Sequence, residues 1–368
     1  MTDEKQVFVA VTNDISTDYR VHKVVRYLQD KSFSVTVYGR VLPNTIEVAR
    51  SYTILRKKHL FNHNFLFYAE YNIRLFFFLL FKKYDYILAN DLDTLPACFW
   101  ISKLKNIDLV YDSHELFSEG PELQGRKFVQ GFWRKLEDFF LPRIEKSYTV
   151  SESISHFYNE KYENKMGVLR NVPFKNDTII EEEVFFPTDR KTILYQGVLN
   201  PGRGLKPMIR ALKLIDNLDL VIIGFGKVQQ DLKDFVASEN MSHCVHFLGR
   251  ISREKLANYT KKATLGMVLE EPLGMSFEFS LPNKLFDFIH AELPIIAGNL
   301  VEISKVIKTY KVGLIVEDYS PEKIATTINT ILNNPDLISE IKENQRRAKE
   351  ILCWEEEVKK LDNYFLKI

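Results

Sequence analysis

The chain has 368 residues, 45% hydrophobic and 27% charged, the composition of a soluble globular protein, which excludes a disordered or fibrous one. Its 50 Lys and Arg against 49 Asp and Glu leave a net charge of +1, so no global field holds nucleic acid or an anionic membrane and any anion site has to be local. Cys98, Cys244 and Cys353 share no metal-ligand spacing, which predicts reduced thiols in a reducing compartment.

The N-terminal stretch MTDEKQVFVAV carries early acids and moves straight into a short apolar run, unlike a signal peptide, and predicts a chain that starts in the cytoplasm. Val7–Thr12, Ser34–Gly39, Tyr84–Asn90, Ile107–Ser113 and Lys146–Ser151 are runs rich in β-branched and aromatic residues, with helical patterns between them. Parallel sheets built from βαβ units read this way. The run LFFFLLF, Leu75 to Phe81, has seven residues and falls well short of the roughly 20 that span a bilayer. Two readings of the Phe-rich stretch Leu66–Phe81 stay open: a core helix, or a membrane-docking surface flanked by Arg74, Lys82 and Lys83.

After Phe174 the sequence turns acidic and loses its helical period, which predicts domains over 1–172 and 192–353 joined by a linker, 173–191. The strand pattern then restarts at Thr192–Gly197, Leu218–Gly224, His243–Gly249, Ala263–Leu269, Leu293–Gly298 and Val312–Glu317. At the end, Trp354, Val358, Leu361, Tyr364 and Phe365 fall on one helical face, which needs a partner to cover it. The expectation is an α/β protein of two Rossmann-like halves.

Anion chemistry gathers in the second half. Pro282 suits a helix start, where the first-turn N–H groups carry the positive end of the dipole. Asn283 adds an amide there and Lys284 a formal charge, so this helix mouth suits a diphosphate, although a solvated lysine on a first turn reads the same way. The stretch YQGVLNPGRGL leaves a strand through Gly197, Gly202 and Gly204, letting backbone N–H groups approach a phosphate, with Arg203 able to bind it bidentately; a plain tight turn is the alternative. Gly224 closes another strand in a GxG turn that lacks a third glycine, and Arg250 ends a further strand where it reaches either a base or solvent.

In the first half, polar residues collect at predicted strand ends, where open α/β sheets bind ligands. Asn13, Asp91, Asp93, Asp112, His114 and Glu115 form such a set, suited to sugar hydroxyls or an acceptor, while each alone is an ordinary turn or cap residue. There is no HExxH, CxxC, GxSxG or Walker stretch, so neither a metal site nor a hydrolase triad is indicated.

Taken together, TNDISTDYRVHKVVRYL, NDLDTLPA, YDSHELFSEGPEL, RNVP, YQGVLNPGRGL, HFLGRIS and SLPNKLFDFIHAELPIIAG resemble the retaining nucleotide-sugar glycosyltransferases of the GT-B fold, family-4 type, across nearly the whole chain. The resemblance implies two Rossmann-like domains with parallel sheets facing across a cleft, and a C-terminal helix around CWEEE crossing back to the first. It implies no cofactor, a UDP- or GDP-sugar as donor substrate, a glycan or lipid-linked glycan as acceptor in surface polysaccharide synthesis, and peripheral contact with the inner membrane. Arg203 matches the family's basic residue in the glycine-rich turn, while a second arginine is replaced by Val198. The second Glu of the family's E-x7-E motif falls on Asp287, implied to contact the ribose; the first falls on Phe279, with Glu278 one residue away. Asn283 and Lys284 stand where the helix meets the diphosphate, and His114 matches the N-domain histidine. A UDP-sugar 2-epimerase of the same fold, or a protein that binds nucleotide or glycan without turnover, are the competing readings.

Overall fold

In the computed structural model, which describes residues 4–16, 18–42, 45, 47–120, 123, 125–175 and 182–366, the apolar runs pair as two parallel sheets. Contacts divide the chain into one unit of Met1–Asn171 with Val358–Ile368 and a second of Val172–Glu357.

The first sheet comprises β1 (Gln6–Ala10), β2 (Ser34–Arg40), β3 (Thr53–Lys57), β4 (Tyr86–Asn90), β5 (Asp108–Ser113), β6 (Lys146–Thr149) and β7 (Gly167–Val168). Their spatial order is β3-β2-β1-β4-β5-β6-β7. The connecting helices are α1 (Tyr19–Asp30), α2 (Asn64–Leu80), α3 (Leu95–Lys105), α4 (Lys127–Phe140) and α5 (Glu152–Tyr162). The strand order reverses between β1 and β4, and loops leaving the carboxyl ends of strands at such a point open a crevice for ligand. β3 and β7 are absent from the five strands read in the sequence. β3 carries Thr-Ile-Leu-Arg-Lys beside β2 with only partial burial, and β7 has two residues, so neither shows a buried apolar run.

The second sheet holds β8 (Lys191–Gln196), β9 (Leu218–Ile223), β10 (Val245–Gly249), β11 (Leu265–Val268), β12 (Ile295–Ala297) and β13 (Gly313–Ile315), in the order β10-β9-β8-β11-β12-β13. All six strands were legible as apolar runs. Around it lie α6 (Leu205–Ala211), α7 (Gln229–Ser238), α8 (Arg253–Lys262), α9 (Met275–Glu278), α10 (Asn283–His290), α11 (Val301–Tyr310), α12 (Pro321–Leu332) and α13 (Pro335–Ile351). Here the order reverses between β8 and β11, which places the loops after Gln196 and Val268 beside each other.

The chain ends in short pieces: α14 (Trp354–Glu357), a 3-10 turn over Val358–Leu361 and α15 (Asp362–Phe365). The single amphipathic helix expected over 354–368 is therefore broken. Its apolar residues serve different cores: Trp354 stacks edgewise on Phe174 in the second unit, whereas Phe365 packs on Phe33 and Tyr86, and Tyr364 on Tyr148, in the first. The segment expected as a linker also differs, since Val172 begins the second unit and Pro173 O accepts the Trp354 N–H at 2.8 Å. Residues 176–181 of that segment, with Thr17, Pro121 and Glu122 of the quoted motifs, lie outside the described residues.

Candidate functional site

In the second unit, Gly197, Gly202, Gly204 and Gly224 all adopt positive φ, at 134°, 78°, 64° and 148°. Gly224 is required by close approach as well as by φ: a Cβ there would stand 1.8 Å from the Gly197 carbonyl oxygen. Gly204 is similar, with Leu269 O at 2.2 Å from the position of a Cβ. The turn after β8 is thereby pressed against the ends of β9 and β11.

That contact brings together residues distant in sequence. Lys284, in the first turn of α10, is buried and lies 2.7 Å from Glu270 Oε1. Arg203 Nη1 reaches the same oxygen at 3.4 Å, and Glu270 is fully buried just beyond β11. The Lys284 ammonium sits 4.1 Å from the Tyr195 ring centre, and the Arg203 guanidinium 5.5 Å from that of Phe277. Burial lowers the Lys284 pKa, and Glu270 opposes that shift. Glu270 Oε2 is buried without a hydrogen-bond partner among the described residues. Glu271 binds the other arm of the turn: its carboxylate accepts the Gly204 N–H at 3.0 Å, and its own N–H donates to Gly202 O at 2.9 Å.

The neighbouring predicted residues are placed as follows. Pro282 is the N-cap of α10, with extended backbone, and Asn283 is exposed beside it. Asp287 accepts a hydrogen bond from Gln196 Nε2 at 2.9 Å, and Gln196 Oε1 in turn accepts from Thr260 at 2.8 Å. Arg250 is exposed and lies over the Phe225 ring at 5.3 Å. Glu278 ends α9 and Phe279 caps it.

In the first unit the strand-end set is knit around His114. Its Nδ1 lies 3.2 Å from Asp91 Oδ2, and its Nε2 lies 3.2 Å from Asn90 Oδ1 and 3.5 Å from Asp112 Oδ2. The His114 backbone N–H donates to Asp91 Oδ1 at 2.8 Å. Burial alone would lower the His114 pKa, but Asp91 and Asp112 overcome it and raise it to about 9. His114 therefore carries a proton at neutral pH and is a poor general base.

Asp112 departs from the expected acceptor-side role. It is closed to solvent and held by Arg20, whose Nε and Nη2 donate to its oxygens at 3.0 and 2.7 Å, while Arg20 Nη1 donates to Leu169 O. Burial would raise its pKa, but Arg20 and His114 hold it below the usual carboxylate range. Asp93 is also buried; it accepts the Thr12 hydroxyl at 2.6 Å, and desolvation with Asp91 nearby raises its pKa to about 7. Asp112 and Asp93 thus order the loops. Asp91 (φ 59°), Asn13 and Glu115 are the more open members, the last two exposed.

Sequence reading passed over Arg20, Lys23, Asn90, Gln196 and Glu270. A signal existed for the first two: Arg20 and Lys23 share the α1 face with Val24, Tyr27 and Leu28, and charge on an apolar stripe needs a buried partner. Lys23 finds Asn171 Oδ1 at 2.6 Å.

The family model described as "Glycosyl transferases group 1" matches residues 176–348. An uncharacterised glycosyltransferase of Methanocaldococcus jannaschii is 24% identical over 211 residues, which covers 57% of this chain and 56% of the relative. The match thus spans little more than half of that relative's length. Among solved structures, a sucrose-phosphate synthase of Thermosynechococcus elongatus is similar with a TM-score of 0.80 at 16% identity, covering 98% of both chains. The Anabaena protein Alr3699/HepE in complex with UDP-glucose is similar with a TM-score of 0.74 at 13% identity, covering 97% of this chain and 98% of that one. Residues 176–348 thus match the group 1 glycosyl transferase model, and the two Rossmann-like sheets share the GT-B fold with these solved structures.

Proposed function

We propose that this protein transfers a sugar, with retention of anomeric configuration, from a UDP- or GDP-sugar to a glycan or lipid-linked glycan acceptor. The observation that carries the reading is the convergence of Arg203 and Lys284 on one buried carboxylate beside the glycine turn, at the switch point of the second sheet. The UDP-glucose in the similar Anabaena structure supports a uridine nucleotide.

Breaking the donor's anomeric C–O bond leaves an oxocarbenium-like sugar and a nucleoside diphosphate whose negative charge grows. Preorganised positive charge aimed at that phosphate lowers the barrier. Arg203 and Lys284 supply it, Asn283 and the N–H groups opening α10 lie beside them, and Asp287 takes the ribose. The acceptor oxygen forms its bond to the same face of the sugar, and its proton passes to the departing phosphate oxygen. No carboxylate nucleophile takes part, in contrast to the paired acids of glycosidases. With its proton held, His114 orients sugar hydroxyls, and Asp91, Asn13 and Glu115 lie on the acceptor side.

The test is a thermal-shift screen of UDP, GDP, ADP, NAD and their sugar conjugates, since a ligand at about 100 times its dissociation constant adds ~2.7 kcal/mol. One sugar nucleotide standing out, and Arg203→Ala erasing its shift, is the expected result. Retained affinity in Arg203→Ala would remove the diphosphate cradle. Proton NMR of the product then separates transfer from epimerisation, which yields a new nucleotide sugar without acceptor.

A further inference from the structure

The loop after β13 carries a tyrosine that reaches back across the second sheet. Val268 O accepts the Gly298 N–H and Ala297 O the Val316 N–H, each at 2.8 Å, and these bonds close the ladder at the carboxyl ends of β11, β12 and β13. Glu270 lies two residues past β11 and is fully buried, so its backbone carbonyl needs a partner from elsewhere. Tyr319, four residues past β13, supplies it: its hydroxyl donates to Glu270 O. The ring packs against the core of the second unit, and the loop is tied beside it by Asp318 Oδ1, which accepts the Ser320 N–H at 2.8 Å.

The sequence leaves room for this reach. Tyr319 passes over Gly298, at the end of β12, where a Cβ would run into the tyrosine hydroxyl and stand 3.0 Å from Glu270 O. Gly298 lacks the positive φ of the glycines in the turn after β8, so space rather than backbone conformation requires glycine there. Burial, and after it the carboxylates of Glu270, Glu271 and Glu278, raise the Tyr319 pKa. The hydroxyl therefore keeps its proton and remains a donor.

The carbonyl held in this way belongs to the residue on which the site converges. The Glu270 carboxylate meets Lys284 and Arg203, and Glu271 beside it binds Gly202 and Gly204 of the turn. Tyr319 ties this two-residue segment to the β12–β13 side of the sheet. We infer that Tyr319 is a positioning residue of the anion site: its hydroxyl fixes the backbone at Glu270, and through that carboxylate the places of the Lys284 and Arg203 charges. A tilt of the backbone there moves the one oxygen that both cations share, and charge stabilises a phosphate only where it is already held in place. The effect on a nucleoside diphosphate rests on the transfer reading, whereas the coupling of Tyr319 to Lys284 does not.

Two variants of the full chain test it. Tyr319→Phe removes the hydroxyl and keeps the ring, and Gly298→Ala displaces the ring by a separate route. The first reading is the titration of Lys284, followed by heteronuclear NMR of lysine side chains, with its signal identified by its loss in Lys284→Arg. Burial lowers the Lys284 pKa and Glu270 opposes that, with Arg203 the other charged neighbour. Once Glu270 can drift, the ammonium should lose its proton at lower pH in both variants. The second reading is calorimetric titration with UDP, GDP, uridine and guanosine. Misplaced cations should lower the affinity of Tyr319→Phe for the diphosphate about tenfold and leave the nucleoside unaffected. A Lys284 titration unchanged in Tyr319→Phe overturns the proposal. So does undiminished affinity for a diphosphate that the parent protein binds, or an equal loss for diphosphate and nucleoside, which would mark general damage. If the parent binds neither diphosphate while the Lys284 signal moves, the transfer reading fails and the positioning stands. Should Gly298→Ala lack a melting transition, Tyr319→Phe decides alone.

Discussion

Lys284 Nζ lies 2.7 Å from Glu270 Oε1, both side chains being buried, with the Tyr195 ring beneath the ammonium. A buried pair adds little net stability over apolar isosteres, but losing one partner strands a charge. Lys284→Met should therefore destabilise the protein by about 3–5 kcal/mol, and Lys284→Met/Glu270→Met should recover much of that loss. Denaturant unfolding of the two variants checks it; equal losses would mean the two residues are uncoupled.

On the proposed function, Glu270 also sets how much positive charge a diphosphate would meet. It shares one oxygen between Lys284 and Arg203, so the three groups carry a formal +1 rather than +2. Glu270→Gln should tighten UDP or GDP binding and slow nucleotide release. Calorimetric titration of the variant decides, and unchanged or weaker binding would leave Glu270 as a positioning residue alone.

The His114 cluster makes stability depend on pH with a definite sign. The folded pKa of about 9 exceeds the unfolded value near 6.5. The charged imidazole therefore contributes fully below about pH 6.5, and that contribution fades as pH rises through about 9. Melting curves across this window should show His114→Gln most destabilised at low pH and converging with the parent protein at high pH. A constant gap would mean the proton is not held.

Two glycines separate strain from crowding. Gly224 has φ 148° and the Gly197 carbonyl in the way of a Cβ, whereas Gly249 has φ 71° and nothing within 4 Å. Gly224→Ala should cost about 3 kcal/mol or more, combining strain with overpacking. Gly249→Ala should cost only about 1–2 kcal/mol, the left-handed backbone penalty. Chemical denaturation of both variants gives the comparison.

What was legible in the sequence follows from where burial is one-sided. β8, β9 and β11 are covered on both faces and announce themselves as apolar runs, and the glycines after β8 and β9 mark the turns. β3 is half exposed and ends Arg-Lys, so its pattern is that of a loop. Arg203 and Lys284 stood out because cations beside glycines and a helix start have a known use. Glu270 did not, because an acid after a strand reads as a surface residue until the fold places Arg203, 67 residues earlier, against it. The same blindness hid Arg20 and Asp112, 92 positions apart.

The return of Val358–Ile368 to the first unit has a consequence for how the molecule is made. The second unit is continuous in sequence and is complete once Glu357 has left the ribosome. The first is begun earliest and closed last: until Phe365 arrives, Phe33 and Tyr86 lack its ring, and the Tyr27 hydroxyl lacks the Asp362 carboxylate it meets at 2.6 Å. The unit begun first is thus the one completed later. A nascent chain arrested before Asp362 would display an unfinished apolar face to chaperones while its second unit is complete in sequence.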